Sequence, residues 1–137
     1  MSLVSYLGCN KELSFDEDDS ENPVLIGEFF SEHVDRENIK AKFSTPYVYE
    51  IQSNKHDTIW VDFYSYAPNK KMYQETLEEL QVYLDELLSQ GEYAELYVCW
   101  LGDEKEETRL TQEIFIDSDD FFKLELPENS FTRFRKK

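Results

Sequence analysis

Residues 70–101 read KKMYQETLEELQVYLDELLSQGEYAELYVCWL, and the order of apolar and charged residues in that stretch decides the fold. Tyr73, Leu77, Leu80, Leu84, Leu87 and Leu88 recur at the spacing of one helical face, while Gln74, Glu75, Glu78, Gln81, Asp85 and Glu86 fall on the other. This predicts a helix from about Lys70 to Gln90, with Asn69 as its N-cap, Pro68 just outside and Gly91 placed to take the left-handed closing conformation. Beyond the glycine, Ala94 to Leu101 is an apolar run of strand character. A helix with one leucine stripe requires a sheet to cover, and the sheet in turn requires the helix as its lid.

Upstream of the helix, Tyr47, Tyr49 and Ile51 alternate with Val48, Glu50 and Gln52, and a polar turn occupies Ser53 to Asp57. Ile59, Val61 and Phe63 then alternate with Trp60, Asp62 and Tyr64, so the two runs read as an antiparallel pair. A helix of about 20 residues and a strand of about 8 have similar lengths, about 30 Å. The chain is therefore expected to leave the sheet at Tyr66 and re-enter near Tyr93, with the strand from Ala94 to Leu101 parallel to that of Thr58 to Tyr66 through a right-handed crossover, the two not necessarily adjacent.

The remaining segments are shorter. Leu3 to Leu7 reads as a first strand covered on both faces and ending at Gly8, and Val24 to Phe30 as a short strand bent at Gly27. In Ser31 to Lys42 the pattern is compatible with a helical turn capped by Ser31 and running to Val34, followed by a strand at Ile39 to Phe43, but neither run is long enough to decide. Leu110 to Asp117 is a strand, Asp117 to Asp120 an acidic turn capping a short helix at Phe121 to Leu124, and Ser130 to Arg135 a last strand. The expected class is α+β: a single domain over residues 1–137 with a mixed, mainly antiparallel sheet and one long amphipathic helix on one face.

Hydrophobic residues make up 40% and aromatics 15% of the 137 residues, enough for a packed core and incompatible with a disordered chain. Charge is the unusual quantity. Thirty Asp and Glu against 14 Lys and Arg give a net charge of -16, which repels nucleic-acid phosphates and anionic lipid and attracts basic partners. The same acidity also serves plain solubility. No stretch approaches the roughly 20 apolar residues of a membrane span, and Leu3 to Leu7 is too short and lacks the basic leader of a signal peptide. The expected compartment is the cytoplasm, with Cys9 and Cys99 as reduced thiols that have neither zinc nor redox spacing.

The motifs of phosphate loops, nucleophile elbows, paired-histidine zinc sites and dinucleotide folds are absent from the sequence. His33 and His56 sit in polar, turn-like surroundings and read as surface residues. Asp16, Asp18 and Asp19 resemble the opening of a calcium loop but lack its sixth-position Gly and twelfth-position Glu, and Asp117 with Asp119 fails similarly. No cofactor, metal or catalytic residue is assigned. Cys99, mid-strand between Val98 and Trp100, reads as a buried inert thiol, and Cys9 lies in a looser segment.

Functional content concentrates on the sheet face turned away from the helix. If Ile59, Val61 and Phe63 point to the helix, Trp60, Asp62, Tyr64 and Tyr66 point away from it, and Tyr97 and Glu95 join them from the later strand. Aromatics interspersed with carboxylates suit a protein interface; alternatively the face is a second core layer. Arg133, Arg135, Lys136 and Lys137 read as a tail attracted to the acidic body. In size, charge and aromatic content the chain is similar to bacterial immunity proteins that neutralise toxins, especially basic nuclease toxins. The resemblance implies a non-enzymatic module that occludes a basic protein partner, and it assigns no individual residue. The competing reading is a small enzyme or ligand-binding domain with a tyrosine-lined pocket approached by Asp62, His56 or Cys9.

Overall fold

The computed structural model describes residues 3–27, 36–62 and 69–137. Its strands are β1 (Leu3–Cys9), β2 (Val24–Gly27), β3 (Tyr47–Ser53), β4 (Tyr93–Trp100), β5 (Leu110–Phe115) and β6 (Ser130–Arg135), and its helices α1 (Arg36–Lys40) and α2 (Lys70–Leu87), with a 3₁₀ helix at Asp119–Lys123. The strands form one sheet in the order β2-β3-β1-β4-β6-β5. Every pairing is antiparallel except β5 with β6. The fold is therefore α+β, a six-stranded mixed sheet crossed on one face by the long helix.

α2 buries Tyr73, Leu77, Leu80, Leu84 and Leu87 as its periodicity requires. They meet Leu7, Ile26, Ile51, Leu96, Val98 and Phe134 from the sheet. The helix stops at Leu87 because Leu88 turns to extended backbone, φ -92° and ψ 132°. Asn69 precedes α2 but its side chain makes no capping hydrogen bond. Gly91 does take a left-handed φ of 86°, in the Ser89–Glu92 turn into β4. Only glycine adopts that backbone without steric cost.

Two strand pairings differ from expectation. β3 lies between β1 and β2, and β4 between β1 and β6. No strand of the sheet pairs with residues 58–62, so the expected hairpin with β3 does not form and these residues supply no sheet strand for β4 to run parallel to. Residues 58–62 instead run above the sheet on the α2 side, where Ser5 Oγ donates to Ile59 O at 3.1 Å. Val61 there exchanges backbone hydrogen bonds with Leu126 at 3.2 and 2.9 Å. Ile59 and Val61 are buried, so their alternation is real; an extended segment lying on a sheet alternates just as a strand within it does. Phe63, Tyr64, Tyr66 and Pro68 lie outside the described residues, as do Ser31 to Val34 and the end of the strand expected at Val24 to Phe30.

The opposite face is a second core layer. Val4, Tyr6, Tyr97 and Cys99 are buried there under Ile39 of α1, with Phe43, Val48, Leu101 and Phe131 at its margin. The segment expected as a strand at Ile39 to Phe43 is thus helical to Lys40 and then turns across β1. It rides directly on Gly8, where a Cβ would lie 2.5 Å from Phe43 Cδ1 and closer still to Thr45 Oγ1.

Candidate protein-binding surface

Burial separates the described members of the six sequence-derived interface residues. Tyr97 and Glu95 are fully buried. Glu95 accepts from Arg133 Nε at 3.0 Å and Nη2 at 2.7 Å, and from Ser44 N at 2.9 Å and Oγ at 3.0 Å. Tyr97 Oη accepts from Asn129 Nδ2 at 3.0 Å, and Lys42 Nζ stands 4.8 Å above its ring. These are internal struts joining β4 to β6 and to the covering segment. Trp60 packs edge-on against Tyr73 of α2, 5.6 Å between ring centroids, so it faces the helix rather than away from it. Asp62 is half-buried, and Tyr64 and Tyr66 are outside the described residues.

The groups considered for a pocket are engaged elsewhere. Cys9 is buried on the α2 side of β1 and its thiol donates to Lys11 O at 3.2 Å. Burial pushes its pKa up, which disfavours the thiolate nucleophile. Cys99 is buried on the other face, and burial, then the nearby Glu104 and Asp103 charges, push its thiol up to about 12. The sheet itself separates the two sulfurs. His56 Nε2 lies 3.1 Å from Glu75 Oε2, which also binds Lys55 Nζ at 2.6 Å, tying the 53–57 turn to α2. Among the described residues no group of three or more His, Cys, Asp or Glu is arranged to hold a metal. No helix among them is long and apolar enough to cross a membrane.

The surface that does combine apolar and acidic groups lies beside α2. Val82, 53% exposed, stands off the leucine stripe on the helix's outer side. With Gln81, Asp85 and Glu86 it forms one wall of a groove whose other wall is Ile116 and Asp117. Gln81 Nε2 donates to Ile116 O at 2.7 Å and holds the walls together. Asp85 is paired with Lys136 at 3.1 Å, while Glu86 and Asp117 are exposed. The 3₁₀ helix that follows packs against α2 and exposes Phe122 at 41%, because Phe121 takes the core position against Phe134.

The sequence carried a signal for these residues. Val82 is an apolar residue on an otherwise polar helical face, and two adjacent aromatics on a one-turn helix cannot both point inward. The basic C-terminus is likewise used within the fold: Arg133 and Arg135 belong to β6, and Lys136 bonds to Asp85 O at 2.9 Å. Fold and surface together define an α+β protein with an acidic exterior and an apolar-floored groove. Comparison with protein-family models, curated proteins and solved structures finds no match to this chain.

Proposed function

We propose that this chain is a non-enzymatic acidic binding module that occludes a basic protein partner, in the manner of a bacterial toxin-immunity or inhibitor protein. It works in the cytoplasm, where its two thiols remain reduced. The observation that carries the reading is the groove in which exposed Val82 is flanked by Glu86 and Asp117, on a chain of net charge -16. A partner lysine or arginine lays its aliphatic stem on Val82 and carries its charge to the carboxylates. The surrounding field accelerates encounter, and the groove contributes residence.

The test is capture from native lysate followed by binding measurements with the purified partner. The expected partner is basic, and its affinity falls at least about tenfold between roughly 50 and 500 mM salt. Val82→Arg and Asp117→Lys should each weaken it by about tenfold or more while leaving thermal unfolding unchanged. A partner of neutral or acidic character, or binding indifferent to both substitutions, overturns the proposal.

A further inference from the structure

The two edges of the sheet are finished differently. At β2 the outward backbone of Ile26 is already used: its N–H donates to Asp16 Oδ2 at 2.7 Å and its carbonyl accepts from Asp16 N at 2.8 Å. Asp16 thereby stands in for a neighbouring strand. At the other edge, Leu110 N–H is directed to Asn129 O at 3.4 Å and Ile116 N–H donates to Arg135 O at 2.9 Å. By two-residue alternation the even-numbered residues of β5 turn their backbone to β6, and Thr111, Glu113 and Phe115 turn theirs outward. Among the described residues nothing meets these three N–H groups, and the Phe115 carbonyl alone accepts a turn bond, from Ser118 N.

An open edge of six residues ordinarily carries a proline, a bulge or a covering loop that prevents pairing. β5 reads LTQEIF, runs in unbroken register with β6, and exposes Phe115 at 39%. Its charges are also balanced locally. Glu113 is held by Arg135 at 2.8 Å with Arg133 at 3.9 Å, and Lys137 lies 5.0 Å from the Phe115 ring centroid. On a molecule of net charge -16, the one carboxylate of β5 itself, Glu113, is thus already paired where a second copy approaches.

We propose that β5 is the interface of a homodimer, in which β5 of one copy adds antiparallel to β5 of a second copy about a two-fold axis and joins the two sheets. With Glu113 opposite Glu113 of the second copy and Thr111 opposite its Phe115, every outward N–H finds a carbonyl. The two Glu113–Arg135 pairs then stand side by side as a neutral quartet. The inference is independent of the basic partner, and its salt dependence has the opposite sign. Screening weakens attraction to a basic protein, but it strengthens this dimer by suppressing the repulsion between two acidic bodies.

Sedimentation velocity tests it across protein concentrations of about 10 to 300 µM, at roughly 50 mM and 500 mM NaCl, where the Debye length is about 14 and 4 Å. The expected result is the 16.4 kDa monomer at low salt and twice that mass at high salt. Thr111→Pro removes an outward N–H and places its ring at the edge while sparing the β6 side, so it should stay monomeric at both salts; Thr111→Val should dimerise like the parent. Amide exchange on the unaltered chain decides the matter even if Thr111→Pro fails to fold. The Thr111, Glu113 and Phe115 amides should exchange at least about fivefold more slowly under dimeric than monomeric conditions. A chain that stays monomeric throughout, or a dimer in which those amides exchange at the monomer rate, overturns the proposal.

Discussion

Replacing Glu95 tests whether it is an interface residue or an internal strut. Its carboxylate is fully buried and receives two bonds from the Arg133 guanidinium and two from Ser44. Glu95→Ala leaves a half-buried guanidinium and the Ser44 N–H facing a void. Breaking one side of such a pair costs about 3–5 kcal/mol, and because Arg133 keeps some access to water the lower end applies, about 3 kcal/mol. Unfolding entropy of about 2.1 cal/mol/K per residue over the 137-residue chain converts this to a fall of about 10 °C in Tm. The double variant Glu95→Leu with Arg133→Leu removes both charges together and should recover at least about half of the loss, since desolvation is then no longer imposed on an unpaired ion.

The assay is urea unfolding at neutral pH, with calorimetry for Tm, on the parent, Glu95→Ala and the double variant. If Glu95 were instead a solvated steering charge, Glu95→Ala would shift stability by less than about 0.5 kcal/mol, the range of ordinary surface substitutions. That outcome, or a double variant no more stable than Glu95→Ala, refutes the reasoning.

Other consequences are equally direct. Gly8→Ala should cost about 1–3 kcal/mol in urea unfolding, since its methyl must displace Phe43 and Thr45 from the second face; a neutral effect would mean the covering segment yields freely. Burial would raise the Asp16 pKa, but hydrogen bonds from Ile26 N–H, Asn22 and Ser20 outweigh it and hold the carboxyl below its ordinary value. Its stabilising contribution is therefore present above about pH 4 and lost as pH falls through the folded value, and Asp16→Asn should cost about 1–2 kcal/mol at pH 7 and less in acid. At the alkaline end Cys99 is pushed up to about 12, and burial also raises Tyr6. Because the unfolded thiol ionises first, stability should fall as pH rises from about 9 towards 12, by up to about 1.4 kcal/mol per pH unit for each such group, and Cys99→Ala should flatten the fall. Equilibrium unfolding at stepped pH checks both ends.

What was legible in the sequence was whatever depends on a residue's own neighbours. The α2 stripe is continuous for five turns, so its face and length followed directly, and only the extended turn at Leu88 shortened it. The β1, β5 and β6 segments were also recognisable from local pattern. Strand partnership was not, because alternation at Ile59 and Val61 records burial on one side and nothing about which backbone lies alongside. The same limit misplaced Glu95. A carboxylate in a strand reads as solvent-facing until its partner is known, and Arg133 lies 38 residues further on. Val82 was visible in the pattern but was overshadowed by Trp60, which packs edge-on against Tyr73 of α2.

The two proposed surfaces share a boundary, and this couples them. β5 ends at Phe115, and the next two residues, Ile116 and Asp117, form a wall of the groove. A basic partner seated there lowers the net negative charge of each copy, which is the main obstacle to dimerisation at low salt. By reciprocity the dimer binds such a partner more tightly than the monomer does, since two acidic bodies side by side deepen the potential at each groove. A bulky partner that overhangs the β5 edge has the opposite effect, because it takes the space of the second copy. Sedimentation of the complex at low and high salt separates these cases. A two-to-two assembly at low salt means the groove recruits the dimer, and a one-to-one complex that persists at a salt concentration where the free chain is dimeric means occupation of the groove closes the edge.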